Sequence, residues 1–138
     1  MSEFVNPERE AFKAFALNKS DTPIHMLNLV KLNDIANYDD GAMVTGKEAY
    51  AAYGRNSATV FQRVGGRIIW SGNYENTLIG PSDEEWDIAF IAEYPDSDAF
   101  IEMVKDDEYQ NAVKHRNAAV RTSRLIRLSP NETSGSFG

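Results

Sequence analysis

The chain has no cysteine. Disulfides, a catalytic thiol, iron–sulfur clusters and thiolate zinc sites are therefore excluded. Histidine is scarce: the two residues, His25 and His115, show neither HxH nor HxxxH spacing, so no metal centre is expected. Basic residues are outnumbered, 14 Lys and Arg against 21 Asp and Glu, giving a formal net charge of −7. That balance argues against binding to nucleic acid or to an anionic membrane surface. No apolar run approaches the ~20 residues that cross a bilayer. The N-terminal stretch MSEFVNPERE lacks the basic-then-apolar pattern of a secretory leader, so the expected setting is cytoplasmic. In that setting Asn18-Lys19-Ser20 and Asn131-Glu132-Thr133 are chance matches to a glycosylation signal. There is no glycine-rich phosphate loop, no G-x-S-x-G and no dinucleotide fingerprint. The acidic clusters at 39–40, 83–85 and 106–108 lack calcium-loop spacing.

What is present is a chain of 138 residues, 42% hydrophobic and 11% aromatic. That is enough for one domain with a real core, 1–138, and too aromatic for a disordered chain. Residues 7–17 read as a helix, with Asn6 at the cap, Pro7 in the first turn and a stripe of Ala11, Phe12, Phe15 and Ala16. Residues 24–32 read as a strand that is apolar on both faces. Ile24, Met26, Asn28, Val30 and Leu32 lie on one face, and His25, Leu27, Leu29 and Lys31 on the other. A long polar connection at 33–45 is expected to be mobile and to border a pocket. Thr45-x-x-Glu48 opens a helix with an inner stripe of Ala49, Tyr53, Ser57, Val60 and Val64, stopped by Gly65-Gly66.

Strands follow at 67–71, with a bulge or turn at Gly72, and at 86–94. Residues 77–79 offer a continuation of the former or a partner that pairs with it. Pro95-Asp96-Ser97 leads into a helix over 98–105, and Asp107 with Gln110 sits at capping-box spacing for another over 108–120. A last strand spans 123–128 and a Ser/Gly/Asn-rich tail covers 129–138. The order, a helix and then βαββαβ, predicts an α+β ferredoxin-like fold with a four-stranded antiparallel sheet, its core over about 23–128. Helices on one face leave the other face bare. Because the strands are apolar on both faces, a second copy is the expected cover, making a homodimer.

Few side chains suit chemistry. Asn28 interrupts an apolar strand face, where an amide must find partners. It serves either as a local hydrogen-bonding staple or as a polar contact in a pocket. His25, facing the other way, and His115 are the candidate catalytic bases near neutral pH. Arg116 interrupts the stripe of Tyr109, Ala112, Val113 and Val120. It either pairs internally with Asp87 or Glu48 or clamps an acidic ligand. Tyr50, Tyr53, Trp70 and Trp86 are core aromatics or the walls of a substrate site.

Several segments carry a family likeness: His25-Met-Leu-Asn-Leu-Val-Lys31; Gly46-Lys-Glu-Ala-Tyr50 with Tyr53; Val64-Gly-Gly-Arg-Ile-Ile-Trp-Ser-Gly72; Leu78-Ile-Gly-Pro81; Trp86-Asp87; Tyr94-Pro95 with Ala99-Phe100; and Asp107-Glu-Tyr-Gln110 with His115-Arg116. As an ordered set over about residues 23–128 they resemble the DUF1330 family of the dimeric α/β-barrel superfamily. The resemblance implies a ferredoxin-like protomer whose sheet packs on a partner's sheet. It assigns no activity, since the superfamily spans cofactor-free monooxygenases, an isomerase and haem enzymes. The resulting expectation is a small-molecule enzyme without metal or organic cofactor, acting by proton transfer or oxygenation on an apolar or aromatic acid. The alternatives are a non-catalytic ligand-binding or sensing dimer and a purely structural dimer.

Overall fold

The computed structural model describes residues 1–137. Its elements are α1 (Arg9–Leu17), β1 (Ile24–Leu32), α2 (Gly46–Arg63), β2 (Arg67–Asn73), β3 (Ile88–Tyr94), α3 (Ser97–Lys105), α4 (Asp107–Ala119) and β4 (Val120–Leu128). The four strands form one sheet in the order β2-β3-β1-β4, with every neighbouring pair antiparallel. With α2 and α3–α4 as crossovers, this is the ferredoxin-like fold.

Local chemistry sets the boundaries. The Thr45 side chain accepts the Glu48 N–H at 3.0 Å and starts α2, as the capping pattern predicts. Gly65, at φ +88°, ends that helix in a conformation other residues resist. Three expectations shift. The first helix starts at Arg9, not residue 7: Glu8 takes the cap position without a side-chain bond. The Phe4 carbonyl instead accepts the Ser123 N–H at 2.7 Å, which ties the N-terminal segment to β4. The cap of α4 is Asp106, not Asp107; its carboxylate accepts from the N–H groups of Glu108 and Tyr109. Residues 77–79 join no strand, and Leu78 and Ile79 stand exposed.

Alternation along the strands separates two sheet faces. Ile24, Met26, Asn28 and Val30 of β1 share the helix-covered face with Phe90, Ala92 and Tyr94 of β3. His25, Leu27 and Leu29 share the open face with Glu93, Ile91 and Ala89. Trp70, Ile126 and Leu128 join that open face, where they are 52%, 44% and 43% exposed. The helix-side core divides into two clusters. One gathers Ile24, Met26, Val60, Ala92, Tyr94, Phe100 and Met103, and the other Val30, Ala36, Ala49, Ala118, Ala119 and Val120. Asn28 stands on β1 between Met26 of the first and Val30 of the second.

The 33–45 connection is strapped down instead of standing over a pocket. Its backbone bonds the end of α4 (Asn33 N–H to Ala119 O and Asn37 N–H to Ala118 O, both 2.8 Å), and Ile35 bridges Thr45. The same closure explains Gly46. A Cβ there would lie 1.9 Å from the Asn33 carbonyl oxygen, a backbone atom with little freedom to yield. Gly46→Ala should therefore cost about 1–3 kcal/mol, the usual range for overpacking. The shift of the urea midpoint measures it, and an unchanged midpoint would mean the strap moves away freely.

Candidate functional site

Between the two core clusters lies a cavity of about 1030 Å³. Were it sealed and empty, at about 24 cal/mol per Å³ it would cost roughly 25 kcal/mol, more than a domain's whole stability. It is therefore a space for solvent or ligand. Its floor is the helix-covered face of the sheet, with Met26, Asn28, Phe90 and Ala92. Its roof is formed by α2 and α4 through Tyr50, Tyr53, Ser57, Tyr109, Val113 and Arg116. The N-terminal segment and α1 close one side with Phe4, Val5, Phe12 and Phe15.

Asn28 is held by a local bond, its Nδ2 donating to the Met26 carbonyl at 3.0 Å. That bond fixes the amide's orientation. Among the described residues Oδ1 meets no donor, and it is left to whatever fills the cavity. Tyr53 and Tyr109 join their hydroxyls at 2.8 Å, and the Tyr50 ring lies 5.5 Å from that of Tyr53. Burial pushes the Tyr50 phenol up to about 12, against the opposing pull of the Arg116 charge. Burial, reinforced by Tyr109, also raises Tyr53 well above an ordinary phenol. These hydroxyls keep their protons at neutral pH and act as donors.

Arg116 lies at the other end of the α4 stripe. Its guanidinium donates to the Val5 carbonyl and, at 3.2 Å, to Ser123 Oγ. The internal ion pair expected from sequence does not form. Asp87 accepts the Leu32 N–H at 2.6 Å and faces Lys31 Nζ at 3.7 Å, while Glu48 stays exposed on the first turn of α2. Among the described residues no carboxylate reaches Arg116, whose head spends two of its five donors on neutral oxygens. The second arginine of the lining, Arg124, is already engaged. It lies 5.0 Å from the Phe4 ring and 5.1 Å from the Trp86 ring, and it bonds Thr122 Oγ1 at 3.1 Å. Among the described residues no Asp, Glu, Lys or His lines the cavity.

The remaining sequence candidates lie elsewhere. His25 is on the open face, its Nε2 2.8 Å from Glu93 Oε2, and Arg67 takes the other carboxylate oxygen at 2.8 Å. Those bonds, first from His25 and then from Arg67, hold the Glu93 carboxyl below its ordinary pKa. His115 turns outward to the 33–45 strap, where its Nδ1 meets the Tyr38 hydroxyl at 2.6 Å. Burial, with Lys114 and Arg55 nearby, lowers its pKa. Neither histidine lines the cavity, so neither is placed to act as a base there. Trp86 is buried under Arg124. Trp70 is carried to the open face by an extra residue in β2: Ile68 faces Ala92, but Trp70, not Ile69, faces Ile91. The bulge expected at Gly72 falls at Ile69, and it reverses which face Trp70 joins. The N-terminal wall carries no sequence signal beyond the apolar pair Phe4-Val5. Tyr109 is legible only as part of the α4 stripe.

Comparison with known proteins places the chain. The model of the family described as "Domain of unknown function (DUF1330)" matches residues 41–127. No protein with a curated description matches. The solved structure of RPA0582, a protein of unknown function from Rhodopseudomonas palustris, is 54% identical, covers 96% of this chain and 100% of its own, and superposes with a TM-score of 0.92. Its methylated form, at 55% identity, covers 96% of this chain and 98% of its own with a TM-score of 0.93. The cofactor-independent oxygenase SnoaB of Streptomyces nogalater shares the fold alone, at 17% identity over 83% of this chain and 99% of its own, with a TM-score of 0.53. An ordered βαββαβ protomer, a matching family model over most of its core and relatives above half identity lead to one conclusion: the chain belongs to the DUF1330 family.

Proposed function

We propose that this protein binds a small, largely apolar or aromatic acid in the cavity between sheet and helices, with Arg116 holding the acid group. One observation carries the reading. Among the described residues, a chain with 21 Asp and Glu lines this cavity with none of them and places there two arginines, of which Arg116 has no anionic partner. A guanidinium facing apolar walls gains most from a desolvated carboxylate, which it grips through paired N–H donors. Asn28 Oδ1 and the protonated phenols of Tyr50, Tyr53 and Tyr109 supply the rest of the polar lining.

A second reading, cofactor-free proton transfer or oxygenation of the bound acid, is supported by those phenols. Neutral donors aimed at a developing oxyanion stabilise it as it forms. With both histidines off the cavity, that reading needs the ligand's own acidity for the proton loss. Both readings are served by a homodimer. A face carrying Leu27, Leu29, Ile91, Trp70, Ile126 and Leu128 is costly in water, and a second copy of the same face covers it.

Three outcomes follow. Arg116→Met should keep the fold and lose affinity for aryl carboxylates by roughly tenfold to a hundredfold, the worth of a charge-assisted bond. Calorimetric titration against a carboxylate panel reads this, and unchanged affinity removes the arginine from the site. Light scattering at micromolar concentration should give about twice the 15.4 kDa chain mass, and Leu27→Asp should return it to one; a wild-type monomer contradicts the dimer. Alkali supplies the third test. A phenol whose folded pKa is raised contributes stability that is complete below the ordinary phenol pKa and is lost as pH rises through the folded value. Burial raises the pKa to about 12 for Tyr50. Wild-type stability should therefore fall more steeply above pH ~10 than that of Tyr50→Phe, followed by urea unfolding at each pH. Parallel curves would mean that Tyr50 titrates as if exposed.

A further inference from the structure

The phenol pair of Tyr53 and Tyr109 has one more hydrogen than it uses. Two hydroxyls 2.8 Å apart share one hydrogen bond, in which one donates and the other accepts. The accepting hydroxyl keeps its own hydrogen, and among the described residues no acceptor meets it. Tyr109 is only 9% exposed, and both rings line the cavity. That hydrogen is left to whatever fills the cavity. As the second link of a relay, it is also polarised by the first. The cavity therefore holds a neutral donor station as well as a cation.

The helix sets the spacing of the two backbone positions from which these stations extend. Tyr109 and Arg116 are both within α4, seven residues apart. Seven residues make two turns, which puts both on one face about 10 Å apart along the axis. Val113, between them on that face, is apolar, as is Phe90 on the floor opposite. A compact acid would satisfy Arg116 and strand the phenol; a long acid with a bare hydrocarbon end would do the same.

We infer that the occupant is an elongated, flat acid carrying a carboxylate at one end and a carbonyl or hydroxyl oxygen at the other, with the carboxylate on Arg116 and the far oxygen on the Tyr53–Tyr109 pair. This rests on the acid-binding reading above and adds the length and the second polar group. An aromatic ring between the two ends suits the apolar middle. The far oxygen acts as acceptor to the hydrogen that the phenol pair leaves free.

Calorimetric titration of the full chain tests this with para-hydroxybenzoate, para-hydroxyphenylacetate and para-hydroxyphenylpropanoate, each beside its counterpart without the hydroxyl. The hydroxyl should confer an advantage that grows with length and reaches about tenfold for the propanoate, the worth of one good hydrogen bond. The Tyr53→Phe/Tyr109→Phe double variant should bind the two propanoates equally; a hydroxyl advantage that survives in it overturns the inference. Should that variant not fold, the wild-type comparison decides alone. A hydroxyl that confers no advantage at any length overturns the inference, and the acid reading survives if the acids still bind through Arg116. If none of the six acids binds, the acid reading fails and the inference fails with it.

Discussion

The helix layer of this protein meets its sheet in two places and misses it in between. One cluster is anchored by Ile24, Met26, Val60 and Tyr94, the other by Val30, Ala49, Ala118 and Ala119. Much else follows from that gap. It leaves Asn28 facing space while Met26 and Val30, two residues away on either side, are buried. It sets Tyr50, Tyr53, Tyr109 and Arg116 along the roof of one cavity. It also requires a side wall, which the N-terminal segment and α1 supply although no residue of α1 is fully buried. The two clusters hold the fold, and the space between them is where function can be carried at little cost to stability.

Electrostatics gives the gap its chemical preference. The chain is acidic overall, and its carboxylates are spent at helix starts, at strand ends and on the open face. Among the described residues none reaches the cavity. Arg116 is anchored through Val5 and Ser123, two neutral acceptors that orient the guanidinium without cancelling its charge. Such an arrangement favours an incoming anion over a neutral analogue. An acid bound as proposed would share the guanidinium with the Val5 carbonyl and so be coupled to the N-terminal segment.

The architecture was legible in sequence because its signals were local or periodic. The Thr45-x-x-Glu48 cap, the Gly65-Gly66 stop and the apolar alternation of 24–32 each point to one element, and their order points to the fold. Asn28 and Arg116 were legible as polar interruptions of apolar faces, and Tyr50 and Tyr53 as aromatics of a helix facing the sheet; the structure brings these four to one cavity. What failed depended on a single residue of register or on tertiary choice. One extra residue at Ile69 moves Trp70 to the other face. Asp87 takes a backbone N–H instead of Arg116. His25 was already marked by strand parity as facing away from Asn28, and His115 sits at the edge of its stripe, where the loop and not the cavity claims it. The wall built by residues 4–7 has no periodic signature, since an extended segment along a sheet edge leaves none in so short a stretch.

The proposed site stands on Arg116 as its anion-binding group, and a crystal structure of the protein grown with para-hydroxyphenylpropanoate can decide it. Density for the ligand is expected between sheet and helices, with a carboxylate oxygen within hydrogen-bond distance of an Arg116 Nη atom. A ligand bound on the open sheet face, or one inside the cavity with its carboxylate turned to solvent and Arg116 untouched, would contradict it.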